Sequence, residues 1–177
     1  MEQFRGTTIV AVKKDGKTVI AGDGQVTMGQ SVILKGSAHK VRRLFDGKVV
    51  VGFAGGTADA FAMCEEFEKM LNKYSGSLMR SAVEYAKNIR NGARSNAEAM
   101  MIVADKDILL ILTSVGDVIE PDDGICAIGS GGNYALAAAK ALMKNTKLDA
   151  KSIATKAMEI ASDICVFTNT NYVIEEV

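Results

Sequence analysis

The chain has 177 residues, 48% of them apolar and 24% charged, with Lys plus Arg equal to Asp plus Glu at 21 each. That length and apolar content suit one domain with a sizeable core, and the zero net charge argues against a nucleic-acid tail or a polybasic membrane patch. Three cysteines (Cys64, Cys126, Cys165) without paired spacing exclude a disulfide framework, and the absence of a signal-like N-terminus or an apolar run near ~20 residues leads to the expectation of a cytoplasmic protein.

Residues 1–6 form a leader too short to bury anything, and residues 7–13, Thr-Thr-Ile-Val-Ala-Val-Lys, suit a first strand. A cut between Gly6 and Thr7 would leave Thr7 with both a nucleophilic hydroxyl and a free α-amine to take its proton. The amine's ordinary pKa of about 7.7 to 8.0 lets it act as a base near neutrality. Thr-Thr at a strand start is equally ordinary β-former usage. Asp15-Gly16 predicts a tight turn into a returning strand over residues 17–22. Asp23-Gly24-Gln25 then turns the chain, and residues 26–35 read as a short strand with loops. Asp46-Gly47 joins a second hairpin whose second arm, residues 48–54, is continuously apolar and reads as buried.

Gly55-Gly56 ends that arm. Thr57 suits an N-cap with Asp59 in the first turn, and Ala60, Phe61, Cys64, Phe67, Met70 and Leu71 fall on one helical face up to about residue 73. A second helix carries Leu78, Ala82, Tyr85, Ala86 and Ile89 and loses its pattern at Asn91-Gly92. Strands are expected over residues 97–103, 108–113 and 118–119, then over 125–128 after the Pro121-Asp122-Asp123-Gly124 turn. An alanine-rich helix follows over about 133–144. Another opens at Leu148-Asp149-Ala150, with Ile153, Ala157, Ile160, Ala161 and Ile164 on its buried side, before a closing strand over 172–174. Hairpins imply antiparallel sheets, and helices in segregated pairs cover one face of each sheet. The expected class is α+β, a four-layer α-β-β-α sandwich of two antiparallel sheets.

Hydrolysis at Thr7 needs an amine of tuned protonation and donors for a developing oxyanion. Asp23 and Lys40 either pair beside Thr7, where the lysine's charge would lower the amine's pKa, or form a surface ion pair. Gly52 either offers a backbone N–H with no side chain in the way or is a strand glycine that allows close packing. Gly129-Ser130-Gly131-Gly132 at a helix start suits an anion but matches neither the phosphate-loop nor the dinucleotide pattern. His39, the only histidine, reads as a surface neighbour of Lys40 and leaves almost no room for a zinc site. The nine methionines read as core filler.

Gly6-Thr7-Thr8-Ile9-Val10, Ala21-Gly22-Asp23-Gly24-Gln25, Lys40-Val41-Arg42-Arg43, Gly52-Phe53-Ala54-Gly55-Gly56-Thr57-Ala58-Asp59, Ala127-Ile128-Gly129-Ser130-Gly131-Gly132 and Asp163-Ile164-Cys165-Val166-Phe167-Thr168-Asn169 occur in that order. Together they resemble the HslV (ClpQ) family, the peptidase subunits of the bacterial HslUV ATP-dependent protease and relatives of proteasome β subunits. The resemblance runs from Thr7 to the Glu175-Glu176 tail. It implies the N-terminal-nucleophile hydrolase fold, two stacked hexameric rings, and docking of the HslU ATPase, which binds the ATP and feeds in unfolded protein. Thr7 would be the nucleophile of a single peptidase domain over residues 7–177, once residues 1–6 are removed. Asp23 and Lys40 would orient and tune it, Gly52 would supply an oxyanion N–H, and Ser130 a supporting hydroxyl. No organic cofactor is implied, but a structural sodium ion is, held by backbone oxygens of Ser162, Cys165 and Thr168, with Ser162 standing where glycine is usual. Residues 88–96 lack the family's tryptophan and Arg-Thr-Asp run. While the leader is attached, the Thr7 nitrogen is an amide and the site is inactive.

Overall fold

The computed structural model describes residues 4–5, 7–29, 31–92 and 99–177. Its first element is one the sequence does not announce: β1 (Phe4–Arg5), a two-residue strand. β2 (Thr8–Lys14) and β3 (Lys17–Gly22) form the hairpin predicted from Asp15-Gly16. Both turn residues lie at positive φ, 52° and 77°, the pair of left-handed conformations that a two-residue turn demands. Residues 26–35 contain two strands rather than one, β4 (Val26–Met28) and β5 (Val32–Lys35), and β1 pairs antiparallel with β4 to make a small third sheet, β1-β4-β5. So short a segment can still add to an open edge, because main-chain hydrogen bonds need no apolar payload.

β6 (Val41–Leu44) and β7 (Val49–Ala54) make the second hairpin, followed by α1 (Thr57–Lys73) and α2 (Leu78–Asn91). β8 (Met100–Ala104), β9 (Leu109–Thr113) and β10 (Val118–Ile119) complete a five-stranded sheet of order β10-β9-β8-β7-β6. β11 (Ile125–Gly129), α3 (Gly132–Asn145), α4 (Ala150–Ile164) and β12 (Val173–Glu176) follow, and β11-β2-β3-β12 is the other large sheet, antiparallel throughout.

Strand periodicity divides the interior into three cores. On β2, Val10 and Val12 face α3 and α4, whereas Ile9 and Ala11 face the opposite sheet. On β7, Val49, Val51 and Phe53 meet α1 and α2, whereas Val50 and Ala54 point between the sheets. Successive side chains leave a strand on opposite faces, so each central strand supplies two cores and must be apolar at nearly every position. The result is the expected order of layers: helix pair, sheet, sheet, helix pair.

Three local expectations need correction. Gly56, not Thr57, is the N-cap of α1, and no side chain caps that end. On α1 the core takes Met63, while Phe61 turns outward, with the Arg42 guanidinium 4.4 Å from its ring centroid. On α4 the buried stripe is Ala150, Ile153, Ala154, Ala157, Met158 and Ala161. Ile160 and Ile164, expected on that side, are exposed. Small alanines let the helix sit close to α3 and the sheet, which narrows the stripe. Part of the atypical 88–96 segment, residues 93–96, lies outside the described residues, as do 97–98 of the strand expected from 97. The described part ends α2 at Asn91, with Gly92 as its C-cap.

Candidate active site

Thr7 lies just before β2, only 7% exposed, with Thr8 fully buried behind it. Thr8 N–H donates to Asp23 Oδ1 at 2.8 Å, and Lys40 Nζ donates to the same oxygen at 3.0 Å. The other carboxylate oxygen accepts from the Gln25 N–H at 2.9 Å and the Asn169 N–H at 3.4 Å. Asp23 has no exposed surface and the Lys40 side chain only 5%, so this is a buried, hydrogen-bonded ion pair rather than a surface one. Lys40 also donates to the Gln25 carbonyl. Burial holds the Lys40 ammonium below its usual pKa, and the attraction and hydrogen bond of Asp23 offset that only in part.

Each member arrives by a different route. Asp23 is the first residue past β3, across from Thr8 in the same sheet, where its N–H also donates to the Thr8 carbonyl at 3.1 Å. Lys40 is the last residue before β6, and its carbonyl accepts from the Phe53 N–H of β7 at 3.1 Å. The loop of Gly129, Ser130 and Gly131 closes the third side. A Cβ on Gly129, whose φ is 89°, would stand 2.1 Å from the Thr7 carbonyl oxygen, and one on Gly131 would stand 2.2 Å from Thr8 Oγ1 and 2.6 Å from Thr168 Oγ1. Glycine is therefore a steric requirement of the loop, which wraps directly over the two threonines. The Thr8 and Thr168 hydroxyls are themselves hydrogen-bonded at 2.6 Å. Ser130 is exposed at the tip of this loop.

Gly52 fills the packing role left open for it. A Cβ there would meet Ile9 at 2.6 Å and Ile20 at 3.0 Å, side chains of the facing sheet. The Phe53-to-Lys40 bond makes Val41 and Gly52 a non-hydrogen-bonded pair, which turns the Gly52 N–H toward Ile102 of β8, inside the ladder. The first N–H beyond that ladder belongs to Gly55, exposed and at φ 121°. The end of β7 lies beside Thr7, since Ala54 Cβ is 3.3 Å from the same Gly129 position that abuts the Thr7 carbonyl. Sequence reasoning passed over Gly55, Gln25 and Asn169; the paired glycines after β7 and the Thr168-Asn169 run were the signals available.

The three positions of the implied cation site are only partly gathered. Ser162 Oγ donates to the Glu159 carbonyl at 2.7 Å and lies 3.1 Å from the Tyr172 hydroxyl, while the Cys165 carbonyl accepts from the Thr168 N–H at 3.0 Å. All three sit at or after the carbonyl end of α4, whose last turn carries no basic residue. Among the described residues, no group of three or more His, Cys, Asp and Glu side chains forms a metal cluster.

The sequence profile of proteasome subunits matches residues 3–177. The chain belongs to the proteasome-subunit family. Proteasome subunits and HslV are N-terminal threonine peptidases. Among solved structures, the eukaryotic HslV from Trypanosoma brucei is 45% identical with a TM-score of 0.89, covering 96% of this chain and 98% of its own. Two structures of BPH from Thiobacillus denitrificans, one in complex with epoxomicin, are 19% and 20% identical with TM-scores of 0.70 and 0.73, covering 96% of this chain and 97% of theirs. They share the proteasome-family fold.

Proposed function

We propose that the chain is the precursor of an HslV-type threonine endopeptidase, whose mature form begins at Thr7 after loss of residues 1–6. The observation that carries this reading is the buried Asp23–Lys40 pair, hydrogen-bonded to the residue next to the nucleophile. In the mature chain the Thr7 hydroxyl attacks the scissile carbonyl and its proton passes to the α-amine, which Lys40 keeps in the neutral form by charge repulsion. The oxyanion accepts from the Gly55 N–H, the donor at the open end of β7. The amine returns the proton to the leaving nitrogen, leaving an ester on Thr7. Water, deprotonated by the same amine, then releases the acid and restores the hydroxyl. Ser130, at the tip of the covering loop, supports the amine.

The subunits form stacked hexameric rings in the cytoplasm, and an HslU-type ATPase delivers unfolded protein to them. No helix among the described residues is long and apolar enough to cross a membrane. A sodium ion held by the backbone oxygens of Ser162, Cys165 and Thr168 would neutralise the carbonyl end of α4 and fix the segment behind it. If so, exchanging sodium chloride for choline chloride at equal ionic strength lowers the melting temperature; an unchanged melting curve removes the ion from the account.

The deciding experiment is Thr7→Ala in a chain produced without residues 1–6. Peptidase activity should vanish while ring assembly persists, and Thr7→Ser should keep measurable turnover. Full activity in Thr7→Ala ends the proposal, as does active enzyme whose intact mass still includes the leader.

A further inference from the structure

Asp23 and Lys40 sit on separate stretches of chain, and one side chain joins the two. Asn169 Oδ1 accepts from the Gly24 N–H at 3.2 Å, and its Nδ2 donates to the Gly36 carbonyl at 2.8 Å. Gly24 directly follows Asp23, and Gly36 opens the short run to Lys40. The Asn169 N–H also reaches Asp23 Oδ2 at 3.4 Å. A side-chain amide offers both an acceptor and donors in a single plane, as this bridge requires. The two stretches otherwise touch closely: the Ala38 N–H donates to the Gly24 carbonyl at 2.9 Å, and a Cβ on Gly24 would stand 2.6 Å from the Gly36 oxygen. The sequence motif that ends in Asn169 found no use in the peptidase chemistry above.

We propose that Asn169 is a positioning residue, fixing the separation of Asp23 and Lys40 by tying the stretch that leaves the one to the stretch that leads into the other. The inference rests on the peptidase reading. Asn171 supplies the natural comparison. Its Nδ2 also donates to the Gly36 carbonyl, at 2.7 Å, while its N–H donates to Asn169 Oδ1 at 3.1 Å; no bond runs from its side chain to Gly24 or Asp23. Anchoring Gly36 and bridging the pair are thus separable.

The test uses mature enzyme and a fluorogenic peptide. Asn169→Ala should lower kcat by roughly 10-fold or more with KM changed less than about twofold, since misplaced groups lose transition-state stabilisation rather than substrate binding. Inactivation by a peptide epoxyketone, which reacts with the hydroxyl and amine of one residue, should slow in parallel. Asn169→Asp keeps the acceptor for Gly24 but sets a carboxylate against the Gly36 carbonyl, and should lose at least as much. It also serves if the alanine variant fails to assemble. Asn171→Ala should stay within about twofold of wild type. Unimpaired kcat in Asn169→Ala or Asn169→Asp, or an equal loss in Asn171→Ala, overturns the bridge while leaving the peptidase intact. Wild-type enzyme that turns over no peptide defeats both.

Discussion

Lys40 shows how a single buried charge can be read in two assays. Its folded-state pKa lies below the ordinary 10.5, so the unfolded chain binds this proton at pH values where the folded chain has released it. Its contribution to stability therefore rises with pH through the window just under 10.5 and is smallest at lower pH. Lys40→Met should remove that rise from the dependence of unfolding free energy on pH, while cutting kcat by about 100-fold or more through loss of the tuned amine. A kcat within a few-fold of wild type would mean the pair is structural only. Gly131→Ala should cost about 1–3 kcal/mol, because its methyl group would intrude on the Thr8–Thr168 hydroxyl pair, and a chemical denaturation midpoint reads it directly. At this scale residue type and spacing left Thr7 as ordinary strand usage and Asp23–Lys40 as either a site pair or a surface pair. Only the family resemblance joined the three, and burial of the pair is what the structure adds. The job of Gly52 was not legible, since a glycine in a strand looks the same whether it faces a substrate or the isoleucines of another sheet. Asn169 was equally hidden, because its bonds reach back more than 130 residues.

Among the elements, turn chemistry was the trustworthy signal, whereas helix periodicity located the helices but not every buried residue on them. Asp149 caps α4: its carboxylate accepts from the Ser152 N–H at 2.7 Å and sits below its usual pKa for that reason. Asp149→Ala should lower the melting temperature, and Asp149→Asn by much less; equal losses would mean that charge, not capping, matters there. The apolar stripe of α4 was misjudged at Ile160 and Ile164 because branched side chains suggest burial, whereas the contact was given to alanines that permit a closer approach. β1 escaped notice for another reason. Edge pairing is made by the backbone, so Phe4 and Arg5 carry no pattern that marks them as a strand beside Thr27 and Met28.

For the molecule as a whole, the layer order was legible because nearly every central strand is apolar on both faces. Three cores leave the thiols deep inside: burial pushes Cys64 up to about 11 and Cys126 up to about 12. Iodoacetamide should label the native protein at these two positions very slowly near neutral pH and rapidly once it is unfolded; fast native labelling would show that the layers open readily. One property of this architecture reaches into biosynthesis. Thr8 meets Thr168, a partner 160 positions further along. The cutting residue is therefore translated long before the segments that support it, and a nascent chain carries a threonine with nothing around it. Non-local closure of this kind comes late in folding. A chain that stops before Thr168 lacks the hydroxyl that Thr8 bonds, and should show no peptidase activity even when it begins at Thr7.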